Sequence, residues 1–414
     1  MHVIIRSNNH SSPRLIKDNA MHISRLLHKL FHTASKNLDK RIHKTLLSAV
    51  MTLSEHKQLS IFGLGRFLDS RAKVKHTIKR IDRLFGNKVL HNRLSFYYQH
   101  MASILVNSNP RPIILVDWSG LTKCGTFHFL RASVPVGGRS LTILDMCFQE
   151  ADYGSSKAHK LFLKQLKKIL PEFCCPIIVT DAGYRCPWFK LVTRMGWDFI
   201  GRVRNRTLFQ EKSTDTWLPV KTLFAKATNK PTFVLSGLLA KTNSIVCDFY
   251  MLKEIKKHRV RANLRGKKIQ CSVSKKHAKR GREPLLIATS LNRENYSPSQ
   301  LIKIYKKRMQ IEEAFRDIKN TKNGFNLRHC RSFNLERLNV ALLIGNIAML
   351  LLWILGLAAK NKKVHFSFQA NTVRTKNVLS TFIIGWQYMR KKGKQFLLSE
   401  FQEAIRDLQS NAST

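Results

Sequence analysis

Two aspartates follow apolar segments of the kind that form buried strands. Asp117 ends the segment IILVD, and Asp181 ends the segment PIIVTD. If the two strands are neighbours in one sheet, both carboxylates lie at the same edge of that sheet. An aspartate at the end of a strand is more often a turn or cap residue, so neither position alone identifies a functional site.

A third carboxylate comes from a helix predicted to start at Ser297-Pro298 and to run through Asn320. Four of its polar residues are separated by 3, 4 and 7 positions: Tyr305, Arg308, Glu312 and Lys319. At ~100° per residue these four share a stripe about 60° wide, at the margin of the apolar face. Glu313 and Asp317 point away from the stripe, which favours Glu312 as the functional carboxylate. The alternative is a salt-bridged helix face in which Glu312 simply pairs with Arg308.

Three converging carboxylates repel one another unless cations neutralise them. Mg²⁺ prefers oxygen ligands, and two such ions can activate an attacking oxygen and stabilise a leaving oxygen in phosphoryl transfer. We therefore predict that Asp117, Asp181 and Glu312 bind two Mg²⁺ ions, for which Mn²⁺ can substitute, and that the chemistry is metal-dependent cleavage of phosphodiesters.

The charge of the chain indicates a polyanionic partner. There are 73 Lys and Arg against 25 Asp and Glu among 414 residues, a formal net charge of +48. Nucleic acid is the first candidate, and an anionic membrane surface or ribosome-like packing is the alternative. The hydrophobic share of 43% excludes wholesale disorder. The eight cysteines lack the spacing of a zinc site, so we interpret them as reduced thiols.

The order of predicted elements indicates an α/β protein in three parts. Residues 21–110 have helical periodicity and form a predicted all-helical DNA-binding domain, and residues 331–414 form a helical C-terminal region. Residues 111–330 follow a βββαβαβ order, which is typical of a ribonuclease-H-like core, interrupted by a β-rich insertion at about 205–283 that contains a dense basic stretch.

A basic helix in the N-terminal domain is the candidate for DNA recognition. We predict that Ser70 caps it, that Gly86 ends it, and that a short helix at 61–68 precedes it, as in a helix-turn-helix. Its predicted DNA contacts are Lys73, Lys75, Lys79 and Arg80. The alternative is a solvated basic face.

One segment is apolar enough to span a bilayer. Residues 340–359 carry no charge and are broken only by Asn346. Length and composition alone allow either a membrane span or a core helix that is hydrophobic on all sides.

Several motifs together resemble the DDE transposases of bacterial insertion sequences, in the insertion-sequence-four family marked by the YREK signature. They include VDWS at Asp117, TDAGYR at Asp181 and Y-x2-R-x3-E-x6-K from Tyr305 to Lys319, together with KRIDRLFGN, KRMQIEE, GFNLRH and FQANTVR. The resemblance extends from about residue 21 to near residue 400, which implies that residues 1–20 are a non-native or disordered extension and leaves open whether Met21 is the native start.

The resemblance implies an interrupted ribonuclease-H-like core that acts as a dimer on two transposon ends. Asp117, Asp181 and Glu312 would bind Mg²⁺, and Tyr305, Arg308 and Lys319 would contact double-stranded end DNA near the scissile phosphate. The implied chemistry is nicking, hairpin formation by the freed 3′-hydroxyl, hairpin opening and strand transfer into target DNA. Two other readings stay open: a catalytically decayed transposase that only binds DNA, and a related nuclease without strand transfer.

The resemblance also bears on location and on one departure from the family. It favours a core helix over a membrane span, and a cytoplasmic, nucleoid-associated protein. Family members often place a Trp that holds a flipped base at the start of the strand before the signature helix, where this chain has Leu285. Leucine can wedge a base but offers no aromatic face, which puts the hairpin step in doubt.

Overall fold

The computed structural model is an α/β protein, as the element order predicts. It describes residues 20–36, 38–121, 125–204, 207–254, 271–272, 283–327, 330, 332, 334–370, 372–373, 376–392 and 395–413. The predicted extension at 1–20, apart from Ala20, and most of the basic stretch after residue 254 lie outside these residues.

The N-terminal part is a group of helices preceded by one short strand. Its elements are β1 (Ala20–His22), α1 (Ile23–Leu30), α2 (Lys40–His56), α3 (Ile61–Phe67), α4 (Val74–Phe85), α5 (Lys88–His91) and α6 (Leu94–Val106). Helix α2 begins where the Asp39 side chain accepts a hydrogen bond from the backbone N–H of Arg41. Helix α4 ends at Gly86 as predicted, but Ser70 does not cap it. The Ser70 hydroxyl accepts from the N–H of Ala72, and α4 starts after Lys73 without a side-chain cap.

The central part alternates strands and helices around one sheet. Its elements are β2 (Ile113–Gly120), β3 (Phe127–Pro135), β4 (Ser140–Gln149), α7 (Ser156–Ile169), β5 (Ile177–Thr180), α8 (Cys186–Arg194), β6 (Asp198–Arg202), β7 (Leu208–Glu211), β8 (Leu218–Pro219), β9 (Thr232–Leu239), β10 (Ile245–Leu252), β11 (Leu285–Thr289), α9 (Pro298–Lys306) and α10 (Met309–Lys319). Gly137 and Gly138 turn the chain between β3 and β4, both with positive φ, a conformation that only glycine adopts without strain.

Among the described residues, the central sheet has ten strands in the order β4-β3-β2-β5-β6-β11-β10-β9-β7-β8. Strands β2, β3 and β4 are antiparallel, whereas β2, β5 and β6 run parallel, as the βββαβαβ order predicts. Strand β11 pairs antiparallel with both β6 and β10. The described strands of the predicted insertion therefore extend the same sheet instead of forming a separate one.

The predicted helix from Ser297 to Asn320 is in fact two helices. Ser297 and Gln300 form the capping box that starts α9. At 307–308 the chain makes tighter turns, in which the N–H groups of Lys307 and Arg308 donate to carbonyls three residues back. Helix α10 continues from Met309, and both turn residues keep near-helical dihedral angles, so the polar stripe survives the interruption.

The C-terminal part packs an apolar helix into the centre of the protein. Its elements are α11 (Leu335–Asn361), α12 (Thr381–Lys392), β12 (Gln395–Leu397) and α13 (Leu398–Ser413), and β12 pairs with β1. Helix α11 is long and apolar enough to cross a membrane, but its most apolar stretch is completely buried among α2, α6, α12, α13 and β4. It is a core helix.

A buried polar network fixes α11 against the sheet. Arg131 on β3 donates from Nε and Nη2 to both carboxylate oxygens of Asp145 on β4, over 2.8 and 2.6 Å. Asn346, the one polar break in the apolar run, accepts from Arg131 over 3.0 Å and donates to Asp145 over 2.8 Å. The Arg131 and Asp145 side chains are only 2% and 0% exposed. Every polar group that α11 brings to this point therefore has a partner.

Candidate active site at the edge of the parallel strands

Asp117 and Asp181 lie beside each other on neighbouring strands. Strands β2 and β5 pair in parallel with Leu115 opposite Val179, so the residues two positions further along, Asp117 and Asp181, come to the same edge. The apolar residues before each aspartate are buried. Each aspartate therefore lies at the margin of the core, directly after the buried apolar residues of its chain segment.

Burial and its neighbours set the charge state of Asp117. Burial raises the pKa of this carboxyl to about 7, and the nearby charges of Asp181 and, more weakly, Glu312 act in the same direction. The guanidinium of Arg308 and a hydrogen bond from the N–H of Trp118 to Asp117 Oδ1, over 2.9 Å, oppose the rise. The three predicted carboxylates are therefore close enough to interact electrostatically.

Arg308 connects Glu312 to this edge of the sheet, because its guanidinium contacts both Glu312 and Asp117. Arg308 Nη2 donates to Glu312 Oε1 over 2.7 Å, and Arg308 Nη1 lies 3.5 Å from Asp117 Oδ2. The Arg308 side chain is 12% exposed, whereas that of Glu312 is 44% exposed. The Glu312–Arg308 ion pair of the alternative interpretation is thus formed, and the same guanidinium also reaches Asp117.

The other two acids of α10 are engaged elsewhere. Glu313 Oε2 pairs with Arg316 over 2.7 Å, and Asp317 Oδ2 accepts from Arg139 Nε over 2.7 Å. Helix geometry favours solvated charges or i, i+4 partners for these two acids, whereas Glu313 pairs three residues along the helix and the 13% exposed Asp317 pairs with a distant residue. Glu312, and not Glu313, lies toward Asp117.

Tyr305 and Lys319, the remaining members of the stripe, also lie at this edge. Lys319 Nζ donates to Ser119 Oγ on β2, two residues beyond Asp117. Tyr305 is 6% exposed, and the charges of Arg308 and Asp181 both affect its pKa, which burial raises. The structure therefore brings both ends of the stripe, Tyr305 and Lys319, to the same sheet edge.

The donor set suits a hard divalent cation. Carboxylate oxygens are the ligands that Mg²⁺ takes, and the side chains of Asp117, Asp181 and Glu312 supply only such oxygens. Among the described residues, no group of three metal-ligating side chains is already drawn together, because Arg308 lies between Asp117 and Glu312. Ion binding would require that guanidinium to move aside from at least one carboxylate.

The basic residues predicted to contact DNA from α4 lie on a separate surface. Helix α4 packs on α2, α3 and α11, and Lys73, Lys75 and Lys79 are exposed on it. Arg80 differs, because it is half-buried and its Nε donates to Thr45 Oγ1 over 3.1 Å. At least part of its guanidinium is committed to holding α4 against α2.

The structure also changes the view of Leu285 and adds residues that the sequence did not single out. Leu285 opens β11, pairs with Leu252 and is 8% exposed, so its side chain packs in the core. Arg202 on β6 lies near Tyr305 and Arg308, whose charges affect its pKa. Trp118 directly follows Asp117, and its ring packs against Phe148, Tyr153 and His159. No spacing pattern indicates Arg202, whereas an aromatic residue next to a predicted catalytic aspartate was a usable signal for Trp118.

Comparison with known proteins agrees with this geometry. No curated protein matches the chain. Residues 108–351 match the model of a family described as the transposase DDE domain, and this range covers more than half of the chain and includes Asp117, Asp181 and Glu312. Such transposases act on DNA and generally use divalent metal ions. The chain therefore belongs to the transposase DDE domain family.

Proposed function

We propose that the protein is the transposase of a bacterial insertion sequence, which binds the terminal inverted repeats of its element, excises it by cut-and-paste and inserts it elsewhere. The observation that carries this proposal is the placement of Asp117, Asp181 and Glu312 around one edge of the sheet in a member of a transposase family. The excess of basic residues supports a DNA substrate.

In the proposed mechanism, Asp117, Asp181 and Glu312 hold two Mg²⁺ ions, with Mn²⁺ as a substitute. When bound, the ions supply activation of the attacking oxygen and neutralisation of charge on the phosphate. Arg308 can donate two N–H groups to a phosphate oxygen beside the carboxylates, since its guanidinium already presents both Nη atoms to this edge.

The other residues of the stripe position the DNA. Lys319 adds a positive charge beyond Asp117, held in place by Ser119, and the nearly buried Tyr305 keeps its hydroxyl close to Arg308. A scissile phosphate at this edge would meet two cationic side chains and three carboxylates. We infer successive hydrolysis and transesterification at one site, with a hairpin intermediate.

The finer assignments belong to the same proposal. They are the ribonuclease-H-like nature of β2 to β6, the YREK subgroup, a likeness to the insertion-sequence-ten transposase, a dimer that bridges two ends, the division into domains at about residues 110 and 330, and a location at the bacterial nucleoid. We assign recognition of the element ends to the helical N-terminal part through Lys73, Lys75 and Lys79. Arg80 is assigned both to DNA contact and to the packing of α4 against α2.

The test is cleavage of end-labelled duplex DNA that carries the inverted repeat flanking the gene. With Mg²⁺, we expect nicks at the element end, then hairpins and joined products on denaturing gels, and no product in EDTA. Nicks without hairpins or joining would support a nuclease. Specific binding without any cleavage would support a DNA-binding protein and would refute the proposal.

A further inference from the structure

Tyr153 is an exposed aromatic residue near the carboxylate site. Tyr153 lies in the loop between β4 and α7, directly after a 3₁₀ turn at Glu150–Asp152, where its N–H donates to the carbonyl of Glu150. Tyr153 is 51% exposed, so its ring is accessible to a ligand from solvent. The following Gly154 has a positive φ of 68° and turns the chain into α7.

Neighbouring rings support Tyr153 on its inner side. The ring centroid of Tyr153 lies 4.6 Å from that of His128 and 5.2 Å from that of Trp118. Trp118 is itself fixed, since its indole N–H donates to His159 Nε2 over 3.1 Å. Burial lowers the pKa of His159 to about 4, so this ring is neutral near pH 7 and can accept that bond. One face or edge of Tyr153 is therefore held, and the rest is open to solvent.

Tyr153 is also within electrostatic range of the predicted catalytic carboxylates. After burial, the charges of Asp117 and Asp181 are the next causes that raise the pKa of its phenol. Trp118, against which Tyr153 packs, also contacts His159, and His159 stacks on Tyr184, whose N–H donates to the carbonyl of Asp181. A phosphate at the carboxylates would thus place its own nucleotides next to this ring.

We propose that Tyr153 is a positioning residue that stacks on a DNA base adjacent to the phosphate held at Asp117, Asp181 and Glu312. The inference rests on the proposed function, because it takes DNA as the occupant of the site. Every base offers a π face, and proteins hold unstacked bases by stacking them on aromatic side chains. Stacking would fix the rotation of the strand and thereby the approach of its phosphate to the carboxylates.

The test compares three variants with the wild-type full-length protein on end DNA. Tyr153→Ala removes the ring, Tyr153→Phe keeps it, and Phe173→Ala removes a similarly exposed ring, 53% exposed, from the opposite end of the sheet, just before β5. We expect Tyr153→Ala to raise KM for end DNA roughly tenfold to a hundredfold, the range for losing one stacked base, with a smaller change in kcat. Tyr153→Phe and Phe173→Ala should remain within about twofold of wild type.

A structural readout separates stacking from a general loss of folding. DNA with 5-iodouracil placed in turn on either side of the cleavage point is irradiated in the complex, and the crosslinked residue is identified by mass spectrometry. A crosslink to Tyr153 that Tyr153→Phe retains and Tyr153→Ala loses, with unchanged thermal unfolding, supports the inference. A crosslink to Trp118 or to neither ring, or a Tyr153→Ala variant that behaves as Phe173→Ala does, overturns it.

The two proposals fail in different ways. If wild type cleaves and Tyr153→Ala cleaves equally well at low DNA concentration, the stacking role is refuted and the transposase function stands. If wild type binds the ends without cleaving them, the proposed function fails, whereas the crosslink still decides whether Tyr153 contacts a base.

Discussion

Removal of Arg131 should destabilise the protein strongly, because it leaves a buried charge without its main partner. In Arg131→Met, Asp145 loses both guanidinium hydrogen bonds and keeps only the one from Asn346 Nδ2 at 2.8 Å, in a position that is 0% exposed. Breaking a buried ion pair from one side costs about 3 to 5 kcal/mol. We expect the free energy of unfolding to fall by that amount.

A matched variant distinguishes the unpaired charge from the loss of packing. In Arg131→Met/Asp145→Leu/Asn346→Leu the charged and amide groups are replaced together by apolar side chains of similar size, so no carboxylate is stranded in the core. Such replacements are often neutral or stabilising. We therefore expect the triple variant to recover most of the stability that the single variant loses.

Chemical denaturation followed by tryptophan fluorescence measures both variants. A loss below about 1 kcal/mol in Arg131→Met would contradict the reasoning, because a loss this small is typical of exposed ion pairs. A triple variant as unstable as the single variant would contradict it differently. It would show that the polar network, and not the stranded carboxylate, determines the stability of α11 against the sheet.

Three further outcomes are expected. In Gly65→Ala, the new Cβ would lie 2.5 Å from the backbone Cα of Ile78, so α3 and α4 must separate. We expect the free energy of unfolding, measured by thermal unfolding, to fall by about 1 to 3 kcal/mol, and binding to end DNA to weaken. Unchanged stability would show that the two helices do not pack this closely. Burial lowers the pKa of His43 from 6.5 to about 4, so the unfolded chain binds a proton at this residue at a higher pH than the folded chain does. The free energy of unfolding should therefore fall by about 3 kcal/mol in total as pH decreases from 6.5 to 4. His43→Gln should flatten that part of the pH profile, and an unaltered slope would refute the assignment. Lys75→Ala and Lys79→Ala should each lower the slope of log affinity against log salt by about one without changing stability, since both side chains are exposed; a variant with an unchanged slope has no phosphate contact at that position.

The local order of the central part was predictable because short-range patterns determine it. Buried apolar runs before Asp117 and Asp181 predict two neighbouring strands, and the parallel register of β2 and β5 agrees, although β2 does not end at Asp117 but continues to Gly120. Helical spacing likewise places Glu312 with Arg308, even though the helix is interrupted at 307–308, because the tighter turns rotate the face only slightly. The catalytic role of these residues stays a prediction.

Contacts between distant parts of the chain were not predictable. Arg131 and Asn346 are 215 positions apart, and nothing in either neighbourhood indicates that they meet. The same holds for the pairing of β1 with β12, and for the addition of β7 to β10 to the main sheet. The nature of α11 depends on such contacts too, since a core helix and a membrane span have the same composition and differ only in what surrounds them.

The central claim is that Glu312 completes a metal-binding triad with Asp117 and Asp181. The most direct measurement is Mg²⁺-dependent cleavage of end DNA by Glu312→Gln beside Glu313→Gln, two isosteric changes on adjacent residues of α10. If the account is correct, Glu312→Gln binds the DNA but loses cleavage by at least a thousandfold, while Glu313→Gln, which loses only its pairing with Arg316 and Arg139, cleaves nearly as well as wild type. Cleavage by Glu312→Gln at a wild-type rate, or its loss in Glu313→Gln alone, would contradict the account.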